Sequence, residues 1–152
     1  MIRCAQVSEA SELTEIAKFS KAYWGYSKEL LESWEKELTV TERIIKETQN
    51  FVYIYQDKII GFYVLKVLSK HMLELEFLFV MPEFIGKGIG KNLLNHVIES
   101  AKNSRAKFIQ VLSDPNASKF YSANGFVAIS WKESTISGRF LPIMRLDLGN
   151  LK

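Results

Sequence analysis

Cysteine is nearly absent from this chain: Cys4 is the only one among 152 residues. No internal disulfide and no multi-thiolate zinc site can therefore form, and no metal is expected. Cys4 falls in the apparent first strand with no histidine near it in sequence, a poor setting for a nucleophile, and is expected as a buried structural thiol. Charge of one sign is lacking too. Twenty Lys and Arg stand against 17 Asp and Glu, a net +3, which is too mild and too dispersed for the clustered basic face of a nucleic-acid binder. The apolar stretch Phe77 to Pro82 is far below the roughly 20 residues of a membrane span. The opening Met1-Ile2-Arg3-Cys4-Ala5-Gln6 lacks the apolar segment of a signal peptide. A cytoplasmic setting without nucleic-acid or membrane partners is the expectation. No repeat, low-complexity tract or linker-like run interrupts the sequence, so one domain over 1–152 is expected. With 47% hydrophobic and 12% aromatic residues, the chain has enough apolar surface for a core that needs no covalent or metal support.

Hydrophobic periodicity then orders the elements. Residues 2–6 read as a short strand. Ser8 offers a helix N-cap, and Leu13, Ile16, Ala17 and Ser20 share one helical face. After the loop Tyr23-Trp24-Gly25-Tyr26-Ser27 comes a second helical region, carrying Leu30, Leu31, Trp34, Leu38, Ile44 and Ile45. Phe51 to Tyr55 is β-rich, Asp57-Lys58 reads as a turn, and Ile59 to Leu68 returns as a strand. In His71 to Val80, Leu73, Leu75 and Phe77 alternate with Glu74 and Glu76, a strand pattern. Ile89, Leu93, Leu94, Val97, Ile98 and Ala101 fall on one helical face. A strand at Lys107 to Leu112, a short helix at Asn116 to Asn124, and strands near 126–134 and 140–148 complete the chain. The order is β-α-α-β-β-β-α-β-α-β-β, an α/β fold of α+β type with a mixed sheet and helices on its faces.

The most informative segment is Val80-Met81-Pro82-Glu83-Phe84-Ile85-Gly86-Lys87-Gly88-Ile89-Gly90-Lys91. A strand ends, a proline stops the ladder, three glycines follow at alternate positions, and a helix begins. Glycine permits positive φ and close approach of backbone to a ligand. A helix start offers unpaired N–H groups and the positive dipole end, which together favour phosphate. Two other glycine motifs are excluded. A P-loop would need Gly where Ile85 stands and Ser or Thr where Asn92 stands; a dinucleotide fingerprint begun at Gly86 would need Gly where Lys91 stands. Purely structural glycines would also account for the spacing.

The run from Val80 to Leu94 resembles the acetyl-CoA-binding motif of the GNAT superfamily of N-acetyltransferases, Arg/Gln-x-x-Gly-x-Gly/Ala after a strand ending Val-x-Pro. Gly88 and Gly90 match its glycines, and Ile85 replaces its Arg or Gln. Downstream, Asp114-Pro115-Asn116-Ala117-Ser118-Lys119-Phe120-Tyr121-Ser122-Ala123-Asn124-Gly125-Phe126 is similar to the family's Asn-x-x-Ala-x-x-Phe-Tyr-x-x-x-Gly-Phe segment. The two motifs keep the family's order and spacing.

The resemblance implies a GNAT-like acyl-CoA N-acyltransferase fold, acetyl-CoA as co-substrate, and direct attack by an acceptor amine on the thioester in a ternary complex. It assigns Leu78, Phe79 and Val80 to backbone pairing with the pantetheine arm, and Ile85, Gly86, Lys87, Gly88, Ile89, Gly90 and Lys91 to the pyrophosphate loop. Asp114 or Asn116, with Phe120 and Tyr121, would complete the cofactor contacts, Asp114 or Asn116 also capping the helix that follows. Tyr121 matches the family's general acid, which protonates the departing thiolate; a phenol with a pKa near 10 keeps its proton at pH 7. An alkyl ammonium, with a pKa of about 10.4, costs about 4.6 kcal/mol to deprotonate at pH 7, so a base is wanted. Glu74 and Glu76 lie two apart and face the same way on a strand, which makes either a candidate; a solvated strand face is the alternative.

Trp24 and Tyr26, in the loop where the family places a substrate wall, are candidate acceptor contacts, and Arg139, between the last two strands, is a candidate clamp for an acceptor carboxylate. A small-molecule primary amine is favoured as acceptor over a protein N-terminus or lysine. A non-catalytic acyl-CoA-binding module is the reading from another class, and a homodimer is left open.

Overall fold

The computed structural model describes residues 1–134 and 136–150. Its strands are β1 (Ile2–Cys4), β2 (Gln49–Tyr55), β3 (Lys58–Ser69), β4 (Met72–Val80), β5 (Phe108–Leu112), β6 (Val127–Glu133) and β7 (Phe140–Asp147), hydrogen-bonded in the order β1-β2-β3-β4-β5-β7-β6. The helices are α1 (Ala10–Ala22), α2 (Lys28–Ser33), α3 (Glu35–Leu38), α4 (Glu42–Glu47), α5 (Ile89–Asn103) and α6 (Ser118–Ala123). The expected mixed sheet with helices is what the chain forms. No helix among the described residues is long and apolar enough to cross a membrane.

The chain divides into two compact units. The first joins Met1–Lys66 to Phe77–Val97. Here β1, β2 and β3 pair antiparallel, and the turn between β2 and β3 places both Gln56 and Asp57 at positive φ. β3 is buried continuously from Ile59 to Leu65, so it reads as an apolar run rather than an alternation. The expected inner face of α1 is confirmed: Leu13, Ile16, Ala17 and Ser20 are all buried. Thr14 fastens that helix to the segment after α3, its hydroxyl donating to the Val40 carbonyl and accepting from the Val40 N–H.

Three local expectations are corrected. Ser8 does not cap α1; a 3-10 turn at Val7–Glu9 precedes the helix, and the Glu9 carboxylate accepts from the Gln6 N–H at 2.7 Å. Arg3 grips the same carboxylate at 2.7 and 3.0 Å and holds it below the usual carboxylate range. The second helical region is three short helices: Trp34 leaves helical geometry between α2 and α3, and Thr39 turns extended before Thr41 caps α4 through the Ile44 N–H. Cys4 is exposed rather than buried: it belongs to β1, an edge strand of three residues none of which is fully buried.

The second unit joins Val67–Glu76 to the described residues from Ile98 onward. The parallel pairing of β4 with β5 runs from Met72↔Phe108 to Glu74↔Gln110, and β5 pairs antiparallel with β7 along its whole length. β6 pairs with β7 through a bulge at Ala128/Ser130. Leu73, Leu75, Ile109, Val111, Met144 and Leu146 form the core of this unit with Tyr121 and Phe126.

Gly61, in β3, fixes how close α5 can come to the strand in the first unit. A Cβ there would sit 3.1 Å from the Leu93 side chain and 3.1 Å from the Phe79 carbonyl oxygen. Isolated glycine in a strand marks such a close approach. Gly61→Val is expected to destabilise the fold by about 1–3 kcal/mol through overpacking, outweighing the roughly 0.5–1 kcal/mol gained by removing a strand glycine. Urea unfolding of the variant beside the parent measures the difference.

Candidate active site

In the first unit, the backbone after β4 makes the turn that the glycine spacing anticipates. Met81 N–H donates to the Ile60 carbonyl at 2.8 Å, tying the end of β4 to β3. Pro82 then opens a 3-10 turn, Pro82–Phe84, closed by the Phe84 N–H on the Met81 carbonyl. Gly86 and Gly88 follow at φ +83° and +85°, a region that costs an L side chain about 1–2 kcal/mol. A Cβ at either position would meet nothing within 4 Å. Conformation, not crowding, demands glycine here, and open space lies where side chains would project.

α5 begins at once, with the Asn92 N–H returning to the Gly88 carbonyl at 3.0 Å. The N–H groups of its first turn have no acceptor within the helix, and its dipole adds partial positive charge. Its inner face holds it against the sheet: Leu93, Leu94, Val97 and Ala101 are fully buried. Lys87 and Lys91 are exposed, Lys87 lying over the Phe84 ring at 5.5 Å. Backbone donors, a helix dipole and two lysines around an open turn fit a phosphate-bearing ligand. Leu78 and Phe79 are half-buried and Val80 buried; the Phe79 ring packs against Phe62 and Phe77.

In the second unit, Glu74 and Glu76 are half-buried on one face of β4 while Leu73 and Leu75 are buried on the other, the orientation the alternation implies. Tyr121 is 6% exposed. Its ring stands edge-on to Phe120 and Phe126, each 5.3 Å away, and burial pushes its hydroxyl well above the ordinary phenol range. The hydroxyl has no hydrogen-bond partner among the described residues.

The segment before α6 differs from expectation. Neither Asp114 nor Asn116 caps the helix, which begins at Ser118 after an uncapped Ala117. Asp114 instead folds its own loop, its Oδ1 accepting from the Asn116 N–H at 2.8 Å and the Asn116 Nδ2 at 3.0 Å. An Asx turn of this kind satisfies the backbone locally and postpones the helix. Arg139 lies with one guanidinium nitrogen 3.7 Å from Asp114 Oδ2. Both residues were singled out from the sequence; their pairing was not, and only the β5–β7 register, with Leu112 opposite Ile143, would have signalled it.

The acceptor candidates of the first unit separate. Tyr26 stands edge-on to the buried Trp34 at 4.8 Å, with the Lys21 ammonium 5.4 Å from the Tyr26 ring and 5.0 Å from the Trp34 ring. Trp24 is 43% exposed and packs edge-on against Tyr23. Sequence reasoning also missed the Tyr63 hydroxyl, which lies 2.7 Å from His96 Nδ1 in the core of the first unit. Burial there lowers the His96 pKa.

Solved structures with a similar fold include proteins in complex with coenzyme A or acetyl-CoA. The chain is similar over 97% of its length to the PaiA N-acetyltransferase of Thermoplasma acidophilum, solved in complex with coenzyme A, at 25% identity, 98% coverage of that chain and a TM-score of 0.79. A GNAT family acetyltransferase from Elizabethkingia anophelis with acetyl-CoA bound matches 80% of the chain and 83% of its own at 22% identity and a TM-score of 0.62. The ribosomal-protein-S18-alanine N-acetyltransferase of Escherichia coli matches 97% and 93% at 19% identity and a TM-score of 0.73. No curated protein sequence matches. The profile of the acetyltransferase (GNAT) domain matches residues 23–146, a span that contains both the glycine turn and the Tyr121 segment. With sequence profile and fold in agreement, the chain belongs to the GNAT acetyltransferase family.

Proposed function

We propose that this protein transfers the acetyl group of acetyl-CoA to a primary amine, the amine of a small molecule, in a ternary complex without a covalent enzyme intermediate. The observation that carries the reading is the turn at the head of α5: two glycines at positive φ, open space beside them, and a fifteen-residue helix whose first N–H groups have no helical acceptor. That is a cradle for a pyrophosphate. β4 runs on to Val80 after its last pairing with β5 at Glu74, which leaves the backbone of Leu78, Phe79 and Val80 as the candidate strand for the pantetheine amide groups.

In the transfer, the neutral amine attacks the thioester carbonyl and the C–S bond breaks. The nitrogen loses one proton and the departing sulfur gains one, giving an acetamide and CoA thiol. Tyr121 is assigned the donor role. Burial stabilises its neutral form, so it holds its proton at neutral pH, and among the described residues its hydroxyl has no partner to compete for that proton. Glu74 or Glu76 is assigned the base. The small-molecule preference rests on the exposed aromatic pair Tyr23 and Trp24, which suits an apolar amine better than an extended polypeptide.

The assignment of the base is tested by Glu74→Gln, Glu76→Gln and the double variant. Gln keeps shape and polarity but cannot take the proton. The variant lacking the base should turn over more slowly and recover part of its rate as pH rises, because more amine arrives already neutral. The other should keep the parental profile. A carboxylate that only attracts a cationic acceptor would raise KM and leave the shape of the pH profile intact. Parental profiles for all three variants would assign proton removal to a water chain.

A further inference from the structure

We infer that Arg139 is a positioning residue for the acetyl-CoA-contacting loop Ser113–Ala117, acting through Asp114, and is not the clamp of an acceptor carboxylate. The inference rests on the acetyl-CoA reading above and concerns how one part of that site is held. Three observations within the second unit carry it. The Arg139 and Asp114 side chains are 19% and 12% exposed, and their charged atoms are 3.7 Å apart. Both ends of the pair are fixed by backbone: the Arg139 carbonyl accepts from Ser134 N–H at 2.8 Å, and Ser113 N–H donates to the Pro142 carbonyl at 2.9 Å. The second oxygen of Asp114 is already committed to the Asn116 N–H and side-chain amide. Arg139 therefore faces the carboxylate that shapes the loop leading into α6.

The charge at Asp114 explains why a partner is needed. Asp114 is one of the two positions that match the asparagine of the family pattern, and a carboxylate in a loop that meets a polyanionic cofactor is repulsive unless compensated. Arg139 supplies the compensation, its guanidinium lying within ion-pair distance of the carboxylate. A largely buried carboxylate left without its cation is the costly state, not the loss of the pair as a whole.

Calorimetric titration of acetyl-CoA into the full chain tests this with a sign that a merely structural role would not produce. Arg139→Ala should weaken acetyl-CoA affinity about tenfold, by exposing the Asp114 charge. Asp114→Asn keeps an oxygen for the Asn116 N–H and removes the charge, so it serves as the background in which Arg139→Ala should cost much less affinity than it does in the parent. The double variant should bind more tightly than Arg139→Ala alone, a non-additive rescue. Arg139→Lys should retain part of the affinity. Circular dichroism and thermal melting check that each variant is folded; if Arg139→Ala is not, the comparison of Arg139→Lys with its own Asp114→Asn double carries the same sign. Unchanged acetyl-CoA affinity in Arg139→Ala would overturn the proposal and return Arg139 to the acceptor. Additive losses without rescue would overturn it too, leaving Arg139 as a direct anion contact. Failure of the parent to bind acetyl-CoA would instead remove the cofactor reading, and the positioning role with it.

Discussion

Gly88→Glu should abolish acetyl-CoA binding while the protein remains folded. Gly88 sits at φ +85° in open space, so no neighbour is displaced by the new side chain and the loop alone absorbs the backbone strain, about 1–2 kcal/mol. The larger effect is electrostatic. A carboxylate about 4 Å from a phosphate oxygen is unfavourable by about 1 kcal/mol per unit-charge pair in water and by about 4 kcal/mol near a protein surface, and the pyrophosphate carries more than one charge. Gly88→Ala separates the two contributions, since it brings the strain without the charge and should weaken binding far less. Titration calorimetry on both variants, with circular dichroism as the control for folding, gives the comparison. Undiminished affinity in Gly88→Glu would remove the pyrophosphate from this turn.

Tyr121→Phe should lower turnover by roughly 10- to 10⁴-fold, the upper end being the usual scale of general-acid catalysis, with acetyl-CoA affinity little changed. The ring is packed between Phe120 and Phe126, and Phe preserves those contacts, so stability should hold as well. Among the described residues the hydroxyl forms no hydrogen bond that its removal would leave unmatched. The raised pKa of Tyr121, caused by burial, also fixes a sign. The donor form persists through the neutral and mildly alkaline range, so loss of the tyrosine proton should not depress the parental rate there. Unchanged turnover in Tyr121→Phe, measured where chemistry limits the rate, would reduce Tyr121 to a packing residue.

The local chemistry of the sequence carried much of this structure. The alternation of Leu73, Glu74, Leu75 and Glu76 set the two faces of β4, because a strand repeats every second residue. The spacing of Leu93, Leu94, Val97 and Ala101 set the buried face of α5. Gly86 and Gly88 stood out because few residue types tolerate their φ. What escaped depended on tertiary context. Cys4 has an apolar side chain in a short strand, and only the position of β1 at the edge decides that it faces outward. Asp114 before Pro115 reads as a helix cap by its type, yet its side chain closes a turn of its own and meets Arg139, 25 residues further along the chain. The division of the second helical region at Thr39 was legible in principle, since three β-branched residues, Thr39, Val40 and Thr41, stand together there. Leu38 and Ile44 on either side mask that break in a periodicity count.

The most direct measurement follows thiol release from acetyl-CoA across a panel of small primary amines, with mass spectrometry on the amine. Acetyl transfer to a small primary amine requires that at least one of them accelerate thiol release above the uncatalysed rate and gain one acetyl group per thiol released. Tight acetyl-CoA binding with no amine accelerating release, in a panel that also includes peptides with free N-termini and lysines, would contradict it and leave a protein that only binds the cofactor.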